Sequence, residues 1–130
     1  MRAWRWLTLG VALYIMLRVS AGSKVERIAR AIAAAEGYGV TGAIPTVRNN
    51  PGNIKGSDGI IKTFQSVSEG WDALYHQVTL MLTGRSSFYV PTMTLAEIAR
   101  IYTGEAAYMN WAANVARILG VTTDTRLEAV

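Results

Sequence analysis

Apolar and polar positions recur with a helical period over most of this chain. From Lys24 to Glu36 the apolar residues Val25, Ile28, Ala29, Ile32 and Ala33 fall at the three-and-four spacing of an amphipathic helix. Gly37 follows directly, as a residue that stops a helix does. A loop-rich stretch heavy in Gly, Asn and Pro then runs to about Gly59, and Ile60 to Phe64 reads as a short extended segment. Ser66 and Glu69 stand at capping-box spacing, with Ser68 as the alternative cap. The spacing predicts a helix from about Glu69 to Leu82, with Trp71, Leu74, Tyr75, Val78 and Leu82 as its apolar stripe. After a connecting loop, Gly84 to Pro91, the pair Thr94 and Glu97 opens a helix over Leu95 to Tyr102. A further helix is expected over about Glu105 to Leu119, with Tyr108, Trp111, Ala112, Val115 and Leu119 inward and Gly120 as its stop. Thr123 to Leu127 adds a short turn. The pattern describes a mainly α domain of four or five helices with one long loop insertion, and insertions of that length are usually functional.

Composition narrows the chemistry. With 130 residues there is room for one domain with a modest core, and 17% charged residues fit a globular chain. Cysteine is absent, which excludes disulfides and thiolate metal sites. The single histidine, His76, excludes a multi-histidine metal site and is expected on a helix surface or edge. No cofactor or metal is called for. Of the thirteen Lys and Arg residues, Arg2, Arg5 and Arg18 lie in the first twenty positions, leaving ten against nine Asp and Glu in the body. A nucleic-acid footprint needs basic residues clustered on the folded domain, so that partner is not expected.

The amino-terminal segment carries the excess charge. Arg2 and Arg5 precede twelve uncharged residues, Trp6 to Leu17, too short for a membrane span but suited to a signal-peptide core. Val19-Ser20-Ala21 offers a cleavage site, although Arg18 just before it is unusual. Three readings stay open for residues 1–22: a cleaved signal peptide, an uncleaved membrane anchor, or a first helix packed on the domain. Either of the first two places residues 23–130 outside the cytoplasmic membrane, facing the periplasm or cell wall, with the arginines inside.

Glu36 is the foremost candidate for chemistry. It lies almost three turns after Val25, on the face of Ile28 and Ile32, where desolvation raises a carboxyl pKa toward that of a general acid. The alternative is a frayed last-turn glutamate that swings out to water. Beyond it, Arg48-Asn49-Asn50-Pro51-Gly52-Asn53 is built around a Pro-Gly pair that suits a type II turn, with glycine taking the positive φ. The amides of Asn49, Asn50 and Asn53 both donate and accept, which suits a polyhydroxylated or acetamido-bearing ligand; plain turn chemistry is the alternative. Phe64 and Gln65, before a helix start, and Tyr102, at a helix end, are candidates to border a sugar groove. Trp71 and Trp111, at helical spacing, are expected in the core.

In order along the chain, A-E-G-Y (35–38), R-N-N-P-G-N-I (48–54), F-Q-S-V-S-E-G-W (64–71) and, later, Y-T and W-A-A-N-V-A-R-I-L-G-V resemble lysozyme-like domains of the lytic transglycosylase and endo-N-acetylglucosaminidase type, often phage-associated. The resemblance covers roughly Val25 to Leu127. Glu36-Gly37 is similar to the Glu-Ser-Gly that carries the catalytic acid, here without the serine, and Tyr102 to the tyrosine of a later Tyr-Asn motif. The Gly-Leu-Met-Gln signature is missing, and Asn-Asn-Pro-Gly-Asn stands in that region. The resemblance implies cleavage of the β-1,4 bond between N-acetylmuramic acid and N-acetylglucosamine, with peptidoglycan strands as partner and Glu36 as acid. Most glycosidases need a second carboxylate. Asp58, in a turn, and Asp72, in a helix's first turn, are weak candidates. With Glu36 alone, the substrate's acetamido group and C6 hydroxyl complete the reaction and give a 1,6-anhydro product, as in a lytic transglycosylase. A phage lysis or virion-associated factor and a component of a secretion machine both fit. The rivals are a non-catalytic glycan-binding or structural module and a membrane-anchored adaptor for a protein partner.

Overall fold

The computed structural model describes residues 22–130, and they are mainly helical, with no strand among them. The signal-peptide or anchor expectation falls on residues outside that range. No helix among the described residues is long and apolar enough to cross a membrane. Among the described residues five α-helices follow in order: α1 (Lys24–Glu36), α2 (Ile44–Val47), α3 (Val67–Thr83), α4 (Leu95–Thr103) and α5 (Tyr108–Leu119), with a closing 3-10 turn at Leu127–Ala129.

Local capping explains most of the boundaries. The Ser23 hydroxyl accepts from Glu26 N at 3.1 Å and starts α1. At its other end Tyr38 N donates to Ala33 O and Gly37 N to Ala34 O, with Gly37 at φ 86. This Schellman arrangement closes the helix immediately after Glu36 and holds that residue in the helix rather than leaving it frayed. Ser66, not Ser68, caps α3 by accepting from Glu69 N, so α3 begins two residues earlier than the pattern suggests. Thr94 does the same for α4. The start of α5 is a correction: residues 105–107 form a turn, and the helix begins at Tyr108. No side chain caps its first amides; Glu105 instead pairs with Arg100, whose guanidinium also donates to Tyr108 Oη. The short α2, with Pro45 in its first turn, lies inside what the sequence presents as continuous loop.

Helix α1 packs against α5 and α3, and α4 packs against α5. Alanines 29, 31 and 33 let α1 approach its neighbours closely while Ile28 and Ile32 fill the space between. Leu74, Val78 and Met81 from α3, Leu95 and Ile98 from α4, and Trp111 and Val115 from α5 complete the core. Burying each such large side chain contributes about 1.5–3 kcal/mol. The carboxy-terminal segment folds back over the start of α4: Leu95 N donates to Thr125 O and Leu127 N to Met93 O. The expected extended segment at 60–64 is reduced to an isolated bridge between Lys55 and Ile61, around a turn where Gly59 N donates to Gly56 O.

Candidate active site

The loop after α2 is held by one buried amide. Asn50 is 0% exposed; its Nδ2 donates to Ile54 O and Lys62 O, and its Oδ1 accepts from Ile54 N, all at 2.9 Å. Asn49 Nδ2 donates to Phe64 O at 3.1 Å, and Arg48 donates to Ile61 O at 2.7 Å. Both ends of the 48–64 segment are thereby tied to each other. Asn50 faces no ligand space, and the amide donor of Asn49 is engaged by backbone. Replacing Asn50 by alanine leaves Ile54 N and Lys62 O without their partner and takes from Ile54 O one of its two donors, the other being Lys62 N. It is expected to lower stability by about 3 kcal/mol. Chemical denaturation checks this; a loss below about 1 kcal/mol would show that the staple is dispensable.

The Pro-Gly pair does not form the expected type II turn. Asn53 N donates to Asn50 O at 3.0 Å, but the positive φ values belong to Asn49 (50°) and Asn53 (48°). Asparagine tolerates that conformation. Gly52 serves a different need, since a Cβ there would lie 2.7 Å from Leu74 Cδ1 and 3.0 Å from Tyr102 Oη. The close approach lets Tyr102 donate its hydroxyl to Gly52 O.

This turn delivers Asn53 to the end of α1. Its Nδ2 donates to Glu36 Oε2 at 2.8 Å, while Trp111 Nε1 from α5 donates to Oε1 at 3.0 Å. Both carboxylate oxygens are therefore engaged by neutral donors from two separate elements. Burial pushes the Glu36 carboxyl above its ordinary pKa, and the Asn53 and Trp111 hydrogen bonds and the charge of Lys55 restrain the rise. Asn53 Oδ1 is buried and has no hydrogen-bond partner among the described residues. Rotating this amide by half a turn would present Oδ1 to a protonated Glu36. Tyr102 stacks on Trp111 with ring centroids 5.0 Å apart, and Tyr89 packs beside Tyr102 at 6.3 Å. Burial and the Glu36 charge raise both phenols, Tyr89 to about 12, which keeps them protonated donors.

An open groove of about 940 Å³ adjoins this cluster, and Asn53, Tyr89 and Tyr102 belong to both. Phe64 also lines it, whereas Asn49, Asn50 and Gln65 do not. Gln65 lies exposed at the start of α3, where its backbone N–H donates to Glu69. Trp111 is in the core as expected, at 5% exposure, but its indole N–H makes it part of the site as well. Trp71 packs edge-on to Tyr38, away from the groove lining. Neither Asp58 nor Asp72 lines the groove; Asp58 Oδ1 instead accepts from Ile60 N in its turn. Among the described residues no cluster of three or more His, Asp or Glu could hold a metal ion.

Comparison with protein-family models, with curated proteins and with solved structures finds no match to this chain.

Proposed function

We propose that the chain is a lysozyme-like enzyme that cleaves the β-1,4 bond between N-acetylmuramic acid and N-acetylglucosamine in peptidoglycan, as a lytic transglycosylase with Glu36 as its only catalytic carboxyl group. The observation that carries this reading is a desolvated glutamate held by Asn53 and Trp111, which reaches the adjoining groove through Asn53 and Tyr102 and has no other carboxylate on that groove beside it. In the first step protonated Glu36 gives its proton to the glycosidic oxygen as the C1–O bond breaks. The substrate's acetamido oxygen shares the positive charge developing at C1. In the second step the Glu36 carboxylate takes the proton of the C6 hydroxyl, whose oxygen bonds to C1 and closes a 1,6-anhydro ring. Water is not consumed and the glutamate ends as it began. Asn53 follows these changes by donating Nδ2 to the carboxylate and offering Oδ1 to the acid. Phe64 and Tyr102 border the sugars. The amino-terminal segment fits export or anchoring of this domain on the wall side of the cytoplasmic membrane, in a phage or a secretion machine.

Mass spectrometry of peptidoglycan digested with the full chain tests the reading. Anhydromuramyl ends support it, ordinary reducing ends indicate a hydrolase, and wall binding without products indicates a glycan-binding module.

The acid role also fixes a pH response. Activity that needs protonated Glu36 falls as pH rises through its raised pKa, so this carboxyl sets the alkaline limb of kcat/KM. Trp111→Phe keeps the ring but removes a donor that favours the charged form. The alkaline limb is expected to move to higher pH in this variant. A limb that stays in place or moves down would assign it to another group.

A further inference from the structure

Sequence order scatters the cations of the nearly neutral body, but the fold gathers three of them on the groove. Lys55 and Lys62 come from the turn that follows Asn53, and Arg85 from the segment after α3; His76 of α3 joins them. None of the nine acidic residues lines the groove. Among the described residues the ion pairs are Arg30–Glu26 and Arg100–Glu105, so no acidic group lies within 4.0 Å of Lys55, Lys62 or Arg85. All three side chains are exposed, and none belongs to the core. Lys55 acts on the Glu36 carboxyl and Asp58 shares the turn with Lys55 and Lys62, but no close ion pair neutralises any of the three. These like charges therefore repel one another and focus a positive potential in the groove they line. Phe88, 72% exposed, also lines the groove and offers a ring on which a sugar can stack.

We infer that this groove reads carboxylates attached to the glycan, those of the stem peptides, and that Lys55, Lys62 and Arg85 are its specificity residues. The inference rests on the proposed glycosidase reading, because a strand with its scissile bond at Glu36 has the adjoining groove as its path. The groove, about 940 Å³, lies at the upper end of ligand-site sizes and accommodates sugars together with an appendage. A neutral amino-sugar polymer offers nothing for three unpaired cations, whereas stem peptides carry free carboxylates at intervals along the strand. Nucleic acid is the less fitting polyanion, since ten cations against nine acids leave the body almost without net charge.

The test measures binding of the full-length Glu36→Gln chain, which leaves its ligand uncut, to intact peptidoglycan, to the same glycan stripped of stem peptides by an amidase with the lactyl carboxylates so exposed capped as neutral methylamides, and to duplex DNA. Intact material is expected to bind about tenfold more tightly than stripped strands at low salt, as three modest exposed charge pairs together allow. Added salt should erode that preference. Lys55→Gln/Lys62→Gln/Arg85→Gln is expected to bring the ratio close to one, while Arg117→Gln/Arg126→Gln, outside the groove, keeps it. Should the triple variant melt early, Lys62→Gln and Arg85→Gln alone are each expected to lower the ratio about twofold. Equal affinity for intact and stripped strands, a preference that survives the triple variant, or tighter cation-dependent binding to DNA would each overturn the inference. Product analysis of the wild-type chain separates the two readings. Preference without cleavage would sink the glycosidase alone, and cleavage without preference would sink the stem-peptide reading alone.

Discussion

Replacing Glu36 by glutamine is expected to lower the rate of glycan cleavage at least roughly 1,000-fold, because a single group then fails as acid in one step and as base in the next. The loss should fall on kcat, since an amide of nearly the same size leaves the groove intact. Glutamine also suits the pocket. Its single oxygen can accept from Trp111 Nε1, and its NH₂ can donate to Asn53 once that amide turns its unpaired Oδ1 inward. A folded Glu36→Gln chain that still released more than about a tenth of the wild-type product would remove Glu36 from the chemistry.

The same substitution bears on stability, with a definite sign. Burial raises the Glu36 pKa in the folded chain above its unfolded value. Between those two values the folded state holds the extra proton, so stability is greatest below the unfolded pKa and declines as pH rises through the folded one. At neutral pH the carboxylate is therefore a liability to the fold. Glu36→Gln removes it, so the inactive variant is expected to melt no lower than wild type at pH 7, and its margin over wild type should shrink toward pH 4. A stabilised but dead variant distinguishes a functional carboxylate from a structural ion pair, whose removal would lower the melting temperature.

What the sequence made legible was local. Ser66, Thr94 and the glycines after Glu36 and Leu119 act through backbone groups within a few residues, so their caps could be read directly. The start of α5 could not, because Glu105, a plausible first-turn acid, is drawn to Arg100 in the preceding helix. Short α2 left one signal, Pro45 in a first turn, amid residues that otherwise signal loop. The site itself was half legible. Glu36 stood out by its place on an apolar face, but its partner Trp111 lies 75 residues away and looks like any core tryptophan. The three asparagines are alike in sequence and unlike in role. Asn49 ties backbone, Asn50 staples the loop, and Asn53 alone reaches the carboxylate. Which asparagine does which depends on the direction of the turn, where the positive φ values fell on Asn49 and Asn53 rather than on Gly52.

Gly70→Ala is expected to be among the most destabilising single substitutions in the chain, by about 4 kcal/mol, or on the order of 15 °C in melting temperature. Alanine favours a helix over glycine by about 1 kcal/mol, so helix propensity alone predicts the opposite sign. Space decides the outcome. A Cβ on Gly70 would lie 1.8 Å from Asn49 O and 3.0 Å from Pro51 Cδ. The first of these is a backbone atom, so no rotamer change relieves the clash, and either α3 or the Asn49–Pro51 segment has to move. That segment aims Asn53 at Glu36, and a displacement near 1 Å at a catalytic group can cost about 100-fold in rate. Gly84, at the other end of the same helix, is the matched control. It has positive φ (73°), but a Cβ there would meet nothing within 4 Å, so Gly84→Ala is expected to cost only about 1–2 kcal/mol of backbone strain and to leave cleavage near wild type. The predicted order of melting is wild type, then Gly84→Ala, then Gly70→Ala, with wild type the most stable and the steep activity loss confined to the last. A Gly70→Ala chain that melted with wild type would mean that α3 and the asparagine loop are not in contact, and the placement of Asn53 against Glu36 would lose its support.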